Sequence, residues 1–384
     1  MRRVFRFGLI LAVVLAALGL WKREQISRLM AVNSLFAEDR IVSNFSNMDD
    51  LFLTHQMSRG DGPISPLPEG ARMALPTASD QWIRNRMVNA LVVLKDGTVR
   101  HESYYNGTGA EDLRISWSVA KSWLSALFGI VMSEGAIDSL DDPVTKYAPT
   151  LTGSAYDGAT IRNVLNMASG VTFDEDYLNF WSDINKMGRV LALGGSMDGF
   201  AAKLQDTFIT PGRQWQYVSI DAHVIGMVIR GATGRSVPEL LQEKLIQPMG
   251  LEAAPFYVTD GHGVAFVLGG LNLRTRDYAR FGQMFLDGGV WNGQQIVPAD
   301  WVVASTTPNA PTTARDLQYA YQWWTPKDAR EGEFFGIGIY GQYVYVNRPL
   351  GVVVTVNSSD RLFKEDGVTD GNIAMFRQIA EAAQ

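Results

Sequence analysis

The sequence contains no cysteine. Disulfide frameworks, thiolate nucleophiles and cysteine-ligated zinc or iron–sulfur centres are therefore excluded. So is the lipid-acceptor cysteine of a bacterial lipoprotein. A cysteine-free chain suits reducing and oxidising compartments alike, so the absence does not localise the protein. Histidine is scarce, with four residues in 384 and none at ligand spacing, so neither a catalytic metal nor a metal cofactor is expected. His223 stands two residues after Asp221 on a predicted helix, but no Gly-x-Ser-x-Gly elbow exists to pair with it, which argues against a histidine triad. Positive charge is also short. The net charge of −6 leaves no electrostatic footprint for nucleic acid. No repeat or low-complexity tract is present, and with 46% hydrophobic residues the chain has the composition of a folded protein.

The N-terminus is distinctive. Arg2, Arg3 and Arg6 precede an apolar run from Phe7 to Trp21, which Lys22 and Arg23 close. A basic segment followed by a short apolar one reads as an export signal. Ala17 and Gly19 make a poor cleavage site, and the run falls slightly short of the ~20 apolar residues of a spanning helix. Residues 1–30 are thus either a cleaved signal peptide or a signal-anchor, and basic flanks on both sides oppose a buried core helix. Either reading places the rest of the chain outside the cytoplasm, in the periplasm or held at the inner membrane.

At 384 residues one large or two closely joined domains are expected. Residues 31–75 carry the loop signals Asp61-Gly62-Pro63 and Ser65-Pro66-Leu67-Pro68 and read as a linker plus N-terminal extension. Asn89–Leu94 and Thr98–Tyr105 flank Asp96-Gly97, a hairpin signal. A helix starts near Ser118, with Trp123, Leu124, Leu127, Phe128 and Val131 on its apolar face. The middle of the chain is helical. Ile161–Ala168 ends before Gly170, Ile220–Ala232 before Gly234, and Val237–Gln247 has Pro238 in its first turn. Helices at Arg276–Leu286 and Pro298–Ser305 follow, then strands at Phe334–Val346 and Val352–Asn357 and a last helix from about Gly371 to Ala383. Strands at both ends of the chain predict an α/β fold of α+β type. A central antiparallel sheet flanked by helices is built from 76–134 and 266–384, and a mostly helical domain, 135–265, is inserted in it.

Three elements carry chemistry. Ser118-Val119-Ala120-Lys121, which occurs once, sets a lysine one helical turn from a serine, so its amine can approach the hydroxyl. Serine needs a base to become a nucleophile. Lysine serves only where burial or positive potential lowers its pKa, and a helix N-terminus between Trp117 and Trp123 offers both. Alone, the pattern also fits a surface Ser and Lys. The second element is Tyr217-Val218-Ser219, ahead of a helix. A tyrosine beside a lysine can relay the nucleophile's proton to a leaving group, or it is simply a half-buried aromatic with Ser219 as a cap. The third is Gly336-Ile337-Gly338-Ile339-Tyr340-Gly341. Glycines on a strand mark close backbone approach or a bulge, and such an edge can lend an N–H to an oxyanion hole.

In this order the three elements resemble the serine β-lactamase, penicillin-binding protein and esterase superfamily. Asp141-Asp142-Pro143-Val144, the stretch Ile161 to Gly170, Pro248-Met249-Gly250-Leu251 and the stretch Arg274 to Gly282 resemble its class C branch. There the chain is most similar to 6-aminohexanoate-dimer hydrolases and family VIII carboxylesterases, over roughly residues 85 to 380. The resemblance implies a β-lactamase-like fold with Ser118 as acylated serine, Lys121 and Tyr217 as its activating pair, and the N–H groups of Ser118 and Ile339 as oxyanion hole. Ser219, Gly338, Tyr340, Tyr177 and Trp181 would belong to the substrate pocket. Tyr177 and Trp181 lie near the acidic stretch Asp174, Glu175, Asp176 and Asp183. Two positions depart from the pattern. Ser219 replaces the usual Asn, and Gly336 stands where β-lactamases and peptidases place a lysine, which removes the charged partner of a substrate carboxylate. The implied activity is hydrolysis of a small ester or amide. A D,D-peptidase or weak β-lactamase, or a membrane-anchored binding or sensor domain that has lost turnover, are the alternatives. The order in which Lys121 and Tyr217 take the proton stays open, as do substrate and oligomeric state.

Overall fold

The computed structural model describes residues 5–7, 9, 17, 19–313 and 316–384. Residues 1–4, 8, 10–16 and 18 of the predicted export segment, Arg2 and Arg3 included, lie outside the described residues. Among the described residues, no helix is long and apolar enough to cross a membrane.

The smaller of two sheets runs β1 (Thr54–Gln56), β5 (Phe256–Val258), β6 (Leu271–Leu273), β4 (Arg114–Ile115). The larger has seven antiparallel strands. Their order is β3 (Thr98–Tyr104), β2 (Val88–Lys95), β13 (Val352–Ser358), β12 (Gln342–Asn347), β11 (Glu333–Gly338), β10 (Trp323–Pro326), β9 (Leu317–Ala320). A separate ribbon pairs β7 (Val290–Trp291) with β8 (Gln294–Gln295). Asp96 and Gly97 join β2 to β3 with φ of 48° and 74°, the left-handed angles that match strand twist in a two-residue turn. β2 pairs with β13 in a register that sets Val93 opposite Val354, so early and late segments meet at the sheet centre. Side chains alternate between its faces. Leu91, Val93, Val352 and Val354 pack under the last helix, Val368–Ala382, with Phe376 and Ile379. Val92, Leu94, Val344 and Val353 face the helix Thr275–Leu286 and its Phe281.

Beyond that helix lies the helix Ala120–Ser133, buried on all sides from Ala120 to Val131 rather than on one apolar face. Its Trp123 stacks on Phe281 at 4.1 Å, and Phe281 on Trp323 at 5.8 Å. Next to it runs Ser219–Thr233, closed by Gly234 in the left-handed region, as the glycine signal predicts. Val237–Leu241 continues through a π-helical turn, Gln242–Ile246, into Gln247–Met249. The helix read at Ile161–Ala168 ends at Leu165, because Met167 takes a φ of 51°.

Two further readings differ from the structure. The single strand expected over Phe334–Val346 is a hairpin, β11 and β12, because Tyr340 and Gly341 take φ of 60° and 84°. Residues 31–75 carry more than a spacer. The helix Arg23–Ser34, short helices at Ile41–Asn44 and Met48–Leu51, and β1 pack onto the body of the fold. Buried Arg114 clasps this segment, donating to Val42 O (2.8 Å), Ser46 Oγ (2.7 Å) and Asn89 Oδ1 (2.8 Å).

Gly231 sets how closely the helix Ser219–Thr233 approaches its neighbour. A Cβ there would stand 1.7 Å from the Tyr147 carbonyl oxygen, and backbone cannot turn away as a side chain can. Gly231→Ala is therefore expected to lower stability in urea unfolding by about 3 kcal/mol. A loss below about 1 kcal/mol would show that the two helices slide apart freely.

Candidate active site

Ser118 lies not in the helix but in the 3₁₀ turn Trp117–Val119 that precedes it. Trp117 has a φ of 42°, a costly conformation for a bulky residue. Phe36 and Phe45 hold its ring at 5.6 and 5.4 Å. The turn leaves Ser118 partly open while Ser116, Trp117, Val119 and Ala120 are buried. Lys121 is in the first helical turn, where i,i+3 spacing brings it under the serine. Its Nζ donates to Ser118 Oγ at 2.8 Å and to Leu268 O at 2.7 Å. Burial lowers this ammonium from 10.5 to about 7, against the pull of the Glu175 carboxylate, since a charge removed from water is disfavoured.

Tyr217 precedes the helix Ser219–Thr233, its ring centre 5.2 Å from Lys121 Nζ and stacked on Trp324 at 5.8 Å. Burial pushes its phenol well above the usual range and Glu175 adds to this, while the Ser118 and Ser219 hydroxyls oppose it. It is therefore held as a neutral phenol, not a phenolate. Ser219 is buried. It donates its N–H to Glu175 Oε1 and its hydroxyl to Glu175 Oε2 at 3.1 Å. Tyr177 donates to the same Oε2 at 3.1 Å. Burial raises the Glu175 carboxyl, and the Ser219 N–H and the Lys121 charge restrain it.

The third element approaches from the sheet. A Cβ on Gly338 would lie 2.7 Å from Ser116 O and 3.1 Å from Ser118 N, so glycine alone lets β11 come this close. The hairpin turn then carries Ile339 into the cavity that Ser118 also lines. Gln342 pins that turn, donating to Ile339 O at 3.2 Å and to Ser358 O at 2.8 Å. A side chain on Gly336 would point at Ser122, 3.1 Å from its Oγ. The cavity beside Ser118 measures about 100 Å³. Its walls are apolar: Val32, Leu35, Phe36, Met48 and Phe52 from the N-terminal extension, then Ile184, Met187 and Leu191 from the helix Asp183–Ala192.

The structure thus gathers Ser118, Lys121, Tyr217, Ser219, Gly338 and Ile339, and Tyr177 lines the same cavity. It does not bring in two of the expected pocket residues. Trp181 is 71% exposed, because its loop turns it outward against Phe180. Tyr340 is buried behind the cavity, stacked on Phe36 at 4.5 Å. His223 pairs with Asp198 at 2.7 Å, while Asp221 accepts from Tyr156 at 2.7 Å, so the two act apart. Among the described residues, no group of three or more acidic or histidine side chains could hold a metal ion. Glu175 and the N-terminal wall were not singled out from sequence. Glu175 sits in an acidic run whose members look alike on paper, and the wall residues are scattered apolar side chains without periodicity.

Known proteins agree with this architecture. The Beta-lactamase family model matches residues 79–374. The 6-aminohexanoate-dimer hydrolase of Paenarthrobacter ureafaciens is 30% identical over 334 residues, covering 82% of this chain and 84% of that one. Among solved structures, a Bacillus anthracis protein assigned as a 6-aminohexanoate-dimer hydrolase superposes with a TM-score of 0.81 at 22% identity, covering 90% of this chain and 95% of its own. A D-stereospecific amidohydrolase from Streptomyces superposes with a TM-score of 0.59 at 21% identity, covering 74% and 94%. The two structures share the fold, and the family match together with the Paenarthrobacter relative places the sequence: the chain belongs to the Beta-lactamase family and is a serine hydrolase.

Proposed function

We propose that the protein cleaves small, largely uncharged carboxylic esters or linear amides through an acyl-enzyme on Ser118, with an apolar acyl group bound between the N-terminal extension and the helix Asp183–Ala192. One observation carries this reading. Ser118 Oγ hydrogen-bonds a lysine held near neutrality at the mouth of an apolar cavity. The similarity to the Paenarthrobacter 6-aminohexanoate-dimer hydrolase supports a linear amide as one member of the substrate class. The side chain missing at Gly336 leaves a substrate carboxylate without its usual cation, which opposes peptidase and β-lactamase activity. The basic and apolar N-terminal pattern supports export, with the catalytic domain outside the cytoplasm.

In this mechanism neutral Lys121 takes the Ser118 proton as Oγ attacks the carbonyl carbon. The N–H groups of Ser118 and Ile339 receive the oxyanion, an interaction worth about 10²–10³ in rate per donor in related chemistry. Tyr217, its phenol pKa raised by burial, passes a proton to the leaving oxygen or nitrogen as the carbonyl carbon–leaving group bond breaks, and is refilled from Lys121. Water then attacks the acyl-enzyme with Lys121 again as base, the acyl–Oγ bond breaks, and Lys121 returns the proton to Ser118 Oγ. The high phenol pKa favours Lys121 over Tyr217 as first acceptor.

Hydrolysis of p-nitrophenyl esters tests the assignment. Ser118→Ala is expected to abolish turnover. For the wild type, kcat/KM should rise roughly fourfold per added acyl methylene from acetate to butyrate, the gain from burying one CH₂, with little nitrocefin cleavage. Full turnover by Ser118→Ala, or fast nitrocefin cleavage, would sink the reading.

Lys121 also links mechanism to stability. Below pH 7 the folded protein holds a buried ammonium against its preference. Between about 7 and 10.5 the unfolded chain binds that proton more tightly, so this destabilisation fades as pH rises. Lys121→Met is expected to abolish turnover and raise Tm at pH 6, with the gain shrinking or reversing at pH 9. A Tm lowered equally at both pH values would show that the amine is not under strain.

A further inference from the structure

The loop Asp174–Ser182 holds several carboxylates, and its own geometry uses all but one. Asp174 Oδ1 accepts from Asp176 N at 2.9 Å, Asp176 Oδ1 from Leu178 N at 2.9 Å, and Asp183 Oδ2 from Asp174 N at 3.0 Å. These are turn contacts at exposed positions. Glu175 alone is turned inward. It spans from its loop to the start of the helix Ser219–Thr233 and takes both donors of Ser219, with the Tyr177 hydroxyl as a third. Ser219 meets this carboxylate with its N–H and a short hydroxyl, which brings a negative charge to a site whose cation is Lys121.

We propose that Glu175 is a positioning residue of this reaction: it fixes the Tyr217–Ser219 segment against Ser118 through both donors of Ser219, and its carboxylate is the counter-charge of the Lys121 amine. Two physical effects are separable. Anchoring acts through Ser219, two residues from Tyr217, and fixes where the phenol stands. Charge acts through space on Lys121. Around that amine stand Ser118, the Leu268 carbonyl, the Tyr217 ring and Glu175. Around Glu175 stand Lys121, Ser219 and Tyr177, with Tyr217, Tyr156 and Asp221 also within its field. Of the groups around Lys121, Glu175 is the acidic one that opposes the effect of burial. An anion beside an ammonium stabilises the protonated form, so Glu175 keeps Lys121 from losing its proton at still lower pH.

The inference rests on Ser118 and Lys121 acting as proposed, and the test separates the two. The pH dependence of kcat/KM for p-nitrophenyl butyrate is measured for wild type, Glu175→Gln and Ser219→Ala, with Ser118→Ala as the control. Glutamine keeps an oxygen that can accept the Ser219 N–H but removes the charge. The acidic limb of its profile is expected to move down by about one pH unit. The variant-to-wild-type ratio then rises about tenfold from pH 8 to pH 5. Ser219→Ala keeps the charge and loses one anchor, so kcat is expected to fall several-fold with the limb unmoved. A Glu175→Gln limb that overlays the wild type or moves upward overturns the charge role. A limb displaced in Ser219→Ala, or an unchanged kcat there, overturns the separation into charge and anchor. If Glu175→Gln does not fold, Glu175→Ala takes its place: its limb is expected to move down as well, and an unmoved limb overturns the charge role. Turnover by Ser118→Ala would instead overturn the catalytic reading beneath both.

Discussion

Lys121 is an amine enclosed by protein, with Ser118 Oγ on one side and the Leu268 carbonyl on the other. An ammonium so placed has lost most of its water, and two acceptors replace only part of that shell. Much of the surrounding structure serves to keep it there. The helix Ala120–Ser133 is buried on all sides from Ala120 to Val131, so its first turn cannot tilt to let the lysine escape to solvent. Trp123, Phe281 and Trp323 stack in sequence beneath that helix, and the helix Thr275–Leu286 transmits the stack to the central strands. The aromatic layer gives the catalytic pair a floor that does not deform when the amine gains or loses its proton.

How much of this could be read from the chain depends on whether a feature is local. The Asp-Gly hairpin, the glycine that closes Ser219–Thr233 and the serine–lysine spacing are decided within a few residues. All three stand where the sequence places them. Phe334–Val346 reads as one strand because its glycines also fit close backbone approach or a bulge within a continuous strand. The turn inside it depends on Tyr340 and Gly341 adopting left-handed angles, which an aromatic residue does not advertise. Ser118, Lys121, Tyr217 and Ile339 each sit in a short pattern of their own, and the structure brings the four together. Glu175 is not legible in the sequence, since its partner Ser219 lies 44 residues away. Nothing in Asp-Glu-Asp tells which carboxylate turns inward. The resemblance implies a pocket role for Tyr340, but the hairpin turn stacks its ring on Phe36 behind the cavity.

The same contrast separates the chemistry from its selectivity. The gathered site residues come from the turn Trp117–Val119 with the helix Ala120–Ser133, the segment ahead of Ser219 and the edge of β11, which Gly338 lets approach closely. The apolar cavity is made of ordinary side chains from segments that share no motif. Phe36 belongs to both regions. It lines the cavity and also packs on Trp117 and Tyr340, the residues that flank Ser118 and Ile339.

The family match begins at residue 79, yet Val32, Leu35, Phe36, Met48 and Phe52 form one wall of the cavity. The wall is therefore encoded ahead of the span that the family model matches. Two kinds of inherited change can then proceed independently. Drift in the stretch before residue 79 can recut the cavity while Ser118, Lys121 and the hairpin at Ile339 stay untouched. A lineage can reshape the cavity by exchanging a piece of chain that the family model does not score.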